Sequence, residues 1–455
     1  MAEAMRSDGI DPAVLAGNES NRAIAAKIAA IPLAPKLPRR FWWGFAAFFT
    51  IGLLFLGCVS YLLAAGIGTI GLNVPAAWGF LIVNTVWWIG IGHAGTLISA
   101  VLLLMRQNWR NSINRFAEAM TLMAVALAGT FPILHLGRPQ YFYWLLPLPV
   151  THMPWPNWRS PLVWDFFAIA TYIIVSLLFW FMGLVPDLAI LRDRAKSRGK
   201  QRIYGFFALG WRGSAYHWHR YRIAYYLLAA LATPLVVSVH SVISLDFTSA
   251  IIPGYHSTIF PPYFVAGALY SGFAMVITIA VPLRHFFGLE DFITLKHLDN
   301  AGKVMLASGA VVAYGYLCES FFAWYSGDQF ERYMMWNRMF GDYAWTFWFM
   351  LACNVGTLQL LWFKRARTSP WLLFALAFII NTGMWVERYV IVVTSLTRDF
   401  LPSSWQNVLP TWVDFGILFG SLGLFFAMMF LFVRLLPLMT IFEVQELKHE
   451  LKEAQ

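Results

Sequence analysis

Residues 41–66 read FWWGFAAFFTIGLLFLGCVSYLLAAG, a run without a single Asp, Glu, Lys or Arg. A bilayer's hydrocarbon core, about 30 Å thick, is crossed by roughly 20 apolar helical residues. A helix on a soluble core shows one polar face. This stretch shows none, so its solvent is lipid. Nine more predominantly apolar stretches of that length follow, at about 78–105, 113–137, 162–186, 221–246, 260–283, 301–325, 343–364, 370–397 and 412–437. The whole chain agrees, at 59% hydrophobic and only 12% charged, against about 25% charged in soluble domains. The sequence thus predicts an all-α integral membrane protein with ten transmembrane helices.

Lys and Arg set the orientation. Ten crossings put both ends of the chain on one side, and 27 of the 33 basic residues fall there. Arg138, Arg159, Arg332, Arg338 and Arg398 fall on the other side, and Arg388 lies inside a span. The positive-inside rule makes the basic side cytoplasmic, so a bacterial inner membrane with both termini in the cytoplasm is expected. The net charge of +10 is then topology, with no nucleic-acid partner implied. The polar arm 1–40 lacks a signal-peptide pattern and reads as retained and cytoplasmic. The basic loop from Arg192 to Arg222 reads as lying on anionic headgroups. The outer loop from Arg138 to Ser160, with Trp144, Pro147, Pro149, Pro154, Trp155, Pro156 and Trp158, is stiff enough to dock a partner. The tail 441–455 reads as a short charged helix without chemistry.

Ionisable groups inside spans cost about 2.5–3.5 kcal/mol each on insertion scales, so each requires a reason. His135 and Arg138 end the third span, Asp165 begins the fourth, and Asp246 ends the fifth, with His240 deeper on that helix. All approach the outer face. Two carboxyls, a histidine and an arginine at one depth suit oxidation of a quinol, which loses two protons with its two electrons and needs bases at both hydroxyls. The plainer reading makes Asp165 and Asp246 helix-end residues in reach of water, Asp165 complementing the dipole of its helix.

His93 sits in mid-membrane within Gly90-Ile91-Gly92-His93-Ala94-Gly95, a small-residue run suited to close helix packing. Glu118, near the cytoplasmic end of the third span, reads as a snorkelling residue or part of a proton path. In the second half, Glu319 with Arg388 forms either a structural ion pair or, with Glu387, a proton relay. Haem ligation by two histidines needs them at one depth on facing helices. His93 appears central, with His135 and His240 further out, so no haem is expected. Cys58, Cys318 and Cys353 are scattered without metal-ligand spacing, and no metal is expected. Spans 2–5 (77–250) and 6–9 (251–400) align as two parallel four-helix bundles, matching Glu118 with Glu319 and Asp246 with Glu387. The first span with its outer loop (41–76) and the tenth (401–440) flank them.

Three strings are more specific. Gly92 to Ala100 reads GHAGTLISA, Arg115 to Met120 reads RFAEAM, and His135 to Pro139 reads HLGRP. With them the chain resembles the NrfD/PsrC family of quinone-interacting membrane subunits. Its length, ten spans and Trp164-Asp165 resemble in particular the ActC-type subunit of alternative complex III. The resemblance covers about Arg39 to Leu436. It implies a quinol site in the first bundle near the outer face, lined by His135, Asp165 and Asp246, with Arg138 and His240 nearby. It further implies a proton path among His93, Glu118, Glu319, Glu387 and Arg388. The substrate would be menaquinol or ubiquinol. Partners would be a periplasmic iron–sulfur subunit, a paralogous membrane subunit and c-type cytochrome subunits that carry the clusters and haems, with a terminal oxidase beyond them.

Three other readings compete. The chain resembles also the ActF-type paralogue of that complex, which is thought not to bind quinol; the outer acidic pair with His135 argues against it. A membrane anchor of a polysulfide- or nitrite-reductase complex would have eight or nine spans. A secondary transporter would place its sites at mid-membrane on broken helices, whereas the charges here gather at the outer face.

Overall fold

The computed structural model describes residues 12–16, 20–145 and 158–453. The Pro- and Trp-rich stretch from Pro147 to Pro156 lies outside them. After a short helix α1 (Asn21–Leu33) come four long helices: α2 (Arg39–Ala65), α3 (Phe80–Leu104), α4 (Asn114–His135) and α5 (Pro161–Arg194). Helix α6 (Arg198–Phe207) is short and amphipathic, with Ile203 and Phe206 exposed. Three long helices follow: α7 (Ala215–Thr248), α8 (Phe260–Phe286) and α9 (Leu295–Tyr325). Beyond the short α10 (Gln329–Phe340), helix α11 starts at Ala344–Leu351 and continues through a π-turn, Ala352–Gly356, into Thr357–Leu360. The chain ends in α12 (Pro370–Thr394), α13 (Trp412–Leu435) and α14 (Ile441–Glu453).

Among the described residues, nine helices are long and apolar enough to cross a bilayer. The stretch 343–364, expected as the eighth of ten spans, is the shorter and interrupted α11. From Ala344 to Leu360 it rises about 25 Å, at the lower limit for a crossing. The chain ends nevertheless require it to cross. Arg434 at the end of α13 donates to the carbonyls of Pro32 and Ala34 just before α2, and Gln445 of α14 reaches Asn21 of α1. Both ends lie at one end of the bundle, so the number of crossings is even. Several helices also outrun the apolar stretches, because chains such as 187–194 and 295–300 stay helical after leaving hydrocarbon.

Helices α3, α4, α5 and α7 pack as one bundle and α8, α9, α11 and α12 as a second. The two bundles meet where α8 lies on α3 and α7, and α2 pairs with α13 on the flank. Small residues permit the close approaches. A Cβ on Gly95 would lie 2.0 Å from the Ala117 carbonyl oxygen of α4, and one on Gly272 of α8 would lie 2.5 Å from the Ala94 methyl. Backbones this near gain dispersion contacts that lipid tails cannot replace. The π-turn at Leu97–Val101 widens α3 just past the GHAG run.

Candidate functional site

Asp165 and Asp246 meet. Pro161 at the first helical position starts α5, which places Asp165 in its second turn, and Asp246 lies two residues before the end of α7. These two helices pack along their length. Their carboxyl groups come within hydrogen-bonding reach of each other, and Oδ1 of each is enclosed without another partner. His135, the last residue of the neighbouring α4, is half-buried at the same end with its Nδ1 unpartnered. Among the described residues no hydrogen bond joins His135 to either carboxyl. Arg138 is exposed just outside, after Gly137 turns the chain with φ +71.

His240 does not belong to that group. Six residues of helix separate it from Asp246, about 9 Å of rise and about 120° of rotation, so the two side chains leave α7 on different faces. The fully buried His240 ring instead meets His93 of α3 with centroids 4.7 Å apart. This corrects the expected depth order, for these two histidines share a level on facing helices. His93 Nδ1 donates to the Ile89 carbonyl of its own helix, and the ring stacks on Tyr172 with centroids 5.3 Å apart. His93 Nε2 and both nitrogens of His240 are buried without partners. Among the described residues no group of three or more His, Cys, Asp or Glu side chains could hold a metal ion.

Glu118 does not snorkel. It is buried at the other end of the first bundle, paired with Arg115 at 2.9 Å. Arg115 also lies 3.4 Å from Asp187 of α5 and donates to the Gly183 carbonyl at 2.7 Å. Arg110 pairs at 2.6 Å with Glu443, a residue of the tail that charge alone marked as solvated. Asp187 lies at the foot of a span, Arg110 in a short basic loop and Arg115 in the first turn of α4, positions where the sequence promised water.

The second bundle rearranges the expected pairs. Glu319 pairs with Arg338 at 2.5 Å, not with Arg388. Arg338 sits on α10, which brings a nominally outer-loop arginine over the end of α9. Ser395 and the Gly254 carbonyl complete its contacts at 2.8 and 3.3 Å. Arg388 instead folds back so that Nη1 lies 2.8 Å from Glu387, its neighbour in sequence, and its guanidinium covers Phe264 at 4.2 Å. Glu387 also accepts a short hydrogen bond from Tyr316, whose hydroxyl accepts one from Asn354 at 2.7 Å. Glu118 and Glu319, matched in the two-bundle alignment, lie at opposite ends of their helices, so their correspondence fails. A cleft of about 240 Å³ opens where α9 meets α10, lined by Glu319, Glu331, His256, Phe322 and Phe400.

The sequence has known relatives. A protein of Halobacterium salinarum described as a putative membrane subunit of a dimethyl sulfoxide reductase is 26% identical over 253 residues, 53% of this chain and 54% of that protein. The chain thus spans about half the length of that relative. The family described as polysulphide reductase, NrfD, matches residues 68–398, from the turn after α2 through the end of α12, and so takes in both bundles. The chain is a multi-pass membrane protein of the NrfD family.

Proposed function

We propose that this chain is the quinol-binding membrane subunit of a respiratory oxidoreductase of the alternative complex III kind, oxidising quinol at the outer end of the first bundle. The observation that carries this reading is the contact of Asp165 with Asp246, two carboxyls half-enclosed at the same end of the bundle as His135. Two carboxyls so close hold a proton between them as an acid and its conjugate base. One hydroxyl of a quinol would give its proton to the ionised member, and the second would give its own to the free nitrogen of His135. The two electrons would leave to an iron–sulfur cluster of a partner at the outer face, and then to c-type haems and an oxidase. Arg138, exposed at the mouth, would orient the ring or the partner. Glu118, His93, Glu319, Glu387 and Arg388 would belong to proton movement through the bundles, in an inner membrane with both chain ends cytoplasmic.

The name of the halobacterial relative favours a second reading, in which the same quinol site feeds a reductase of the dimethyl sulfoxide or polysulfide kind. The site chemistry is shared; only the acceptor differs. Quinol oxidation by the purified complex, followed at the quinol itself and with Asp165→Asn or His135→Ala in this chain, tests the common core. Turnover should fall about 100-fold or more in Asp165→Asn, the scale of a lost general base, with the subunit pattern intact. Undiminished turnover in both variants would move the quinol elsewhere and favour the ActF-like role.

A further inference from the structure

The C-terminal helix closes the cytoplasmic end of the first bundle from below. Thr440 donates to Asn114 at 2.9 Å, and the Ile441 amide donates to Asp187 at 3.1 Å. Glu443 then enters the bundle, where Arg110 donates to one oxygen at 2.6 Å and Asn114 to the other at 2.7 Å. Further out, Glu446 and Glu450 meet Arg222 and Asn108, holding the helix along its length. Glu443 is 5% exposed, Glu118 4% and Asp187 0%, while Arg110 and Arg115 are 3% and 0% exposed.

This cluster carries three carboxyls against two guanidiniums. Among the described residues these five charged side chains lie in electrostatic contact, with Tyr221 and Tyr225 from α7 beside them. Lys448, five positions beyond Glu443, falls about 140° round the tail helix. With every carboxyl ionised the cluster would bury one uncompensated negative charge, which is strongly unfavourable in a medium this poor in water. One bound proton removes it. There is also polar capacity for more than the protein supplies. Arg115 Nε and the Tyr221 hydroxyl are both enclosed and lack partners, and the Tyr221 ring stacks on Tyr225, whose hydroxyl donates to Glu118 at 3.4 Å.

We propose that Glu118, Asp187 and Glu443, gathered around Arg110 and Arg115, form a site for a single proton, and that the C-terminal helix supplies its third carboxyl. Proton binding converts one carboxylate to the acid and moves no electrons. The site gives the proton path proposed above an inner end, but its existence does not depend on quinol binding. Infrared spectroscopy of the purified complex reads it directly, through the carbonyl stretch of a protonated carboxyl. Glu443→Gln leaves two carboxylates facing two guanidiniums, so one carboxylic-acid absorption present in the native complex should vanish. Glu118→Gln should remove that same absorption, since the proton belongs to the cluster. It also serves if Glu443→Gln fails to assemble. An unchanged carboxylic-acid absorption in an assembled variant overturns the proposal. Quinol turnover on the same samples is scored separately, so a failure of the outer pocket leaves this result standing.

Discussion

Arg338 and Glu319 lie 2.5 Å apart at one end of the second bundle, joining α10 to α9. Arg338 is 2% exposed, and Ser395 of the α12 extension shares it. Removing one member of such a pair strands the other charge, so Arg338→Met should destabilise the chain by about 3–5 kcal/mol. The double variant Glu319→Gln/Arg338→Met removes both charges and should recover most of that loss. Thermal unfolding of the detergent-solubilised protein compares them. A double variant no better than the single one would mean that Arg338 acts through Ser395 and Gly254, not through Glu319.

His240 presents the opposite situation. Its ring is fully buried, yet neither nitrogen has a partner. Replacing a polar group that is already unsatisfied by an apolar one of similar volume forfeits no hydrogen bond. His240→Leu should therefore change stability by less than about 1 kcal/mol. A histidine bonded across helices would cost about 1–3 kcal/mol instead. A large fall in the unfolding midpoint would show that the pair with His93 is held by more than packing.

The sequence made the helices legible because hydrocarbon demands long apolar runs, and it placed Asp165 and Asp246 together because α5 and α7 end near one face. It could not show which face of each helix meets protein. In lipid both faces are apolar, so α8, nearly all enclosed, and α2, mostly exposed, look alike in hydropathy. Azimuth was hidden for the same reason, and with it the turn of His240 away from Asp246 toward His93. Depth was misread where a helix or loop folds back over a bundle end. Arg338 on α10 and Glu443 on α14 lie in polar stretches that read as solvated. In Gln329–Phe340 the one available signal was Met334, Met335 and Arg338 falling on a shared helical face.

Gly95 marks where helix packing is tightest. A methyl group there would lie 2.0 Å from the Ala117 carbonyl oxygen and 2.2 Å from the Thr121 hydroxyl. The first of these is backbone and cannot rotate aside, so α3 and α4 must separate. Gly95→Ala should cost about 1–3 kcal/mol or more. Gly57 on α2 has nothing within 4 Å, and Gly57→Ala should leave stability within about 0.5 kcal/mol. Yields and melting of the two alanine variants, measured side by side, decide this; equal behaviour would contradict the close contact.

If Asp165 and Asp246 work as one unit, their removal should not compound. Asp165→Asn and Asp246→Asn should each slow quinol turnover by about 100-fold. The double variant should be little slower than either, because groups that share a proton fail together. Losses that multiply to about 10,000-fold would instead assign each carboxyl to a different hydroxyl of the quinol and end the shared-proton description.

Glu331 offers a test in pH. It lies on α10, outside the spanning helices, and burial pushes its carboxyl above the ordinary 4.5, although two hydrogen bonds from the Gly254 amide at 3.1 Å pull the other way. The folded chain therefore binds this proton more tightly than the unfolded one. By linkage, the contribution of Glu331 is fully present below about pH 4.5 and is lost as pH rises through the elevated folded value. Glu331→Gln keeps an acceptor for Gly254 and has no charge to desolvate. Its stability should gain on the native chain as pH rises through that window and hold a constant advantage above it. Melting curves of both proteins from acid to neutral pH show the divergence. Parallel curves would mean that the ionised carboxylate is fully solvated through the cleft it lines.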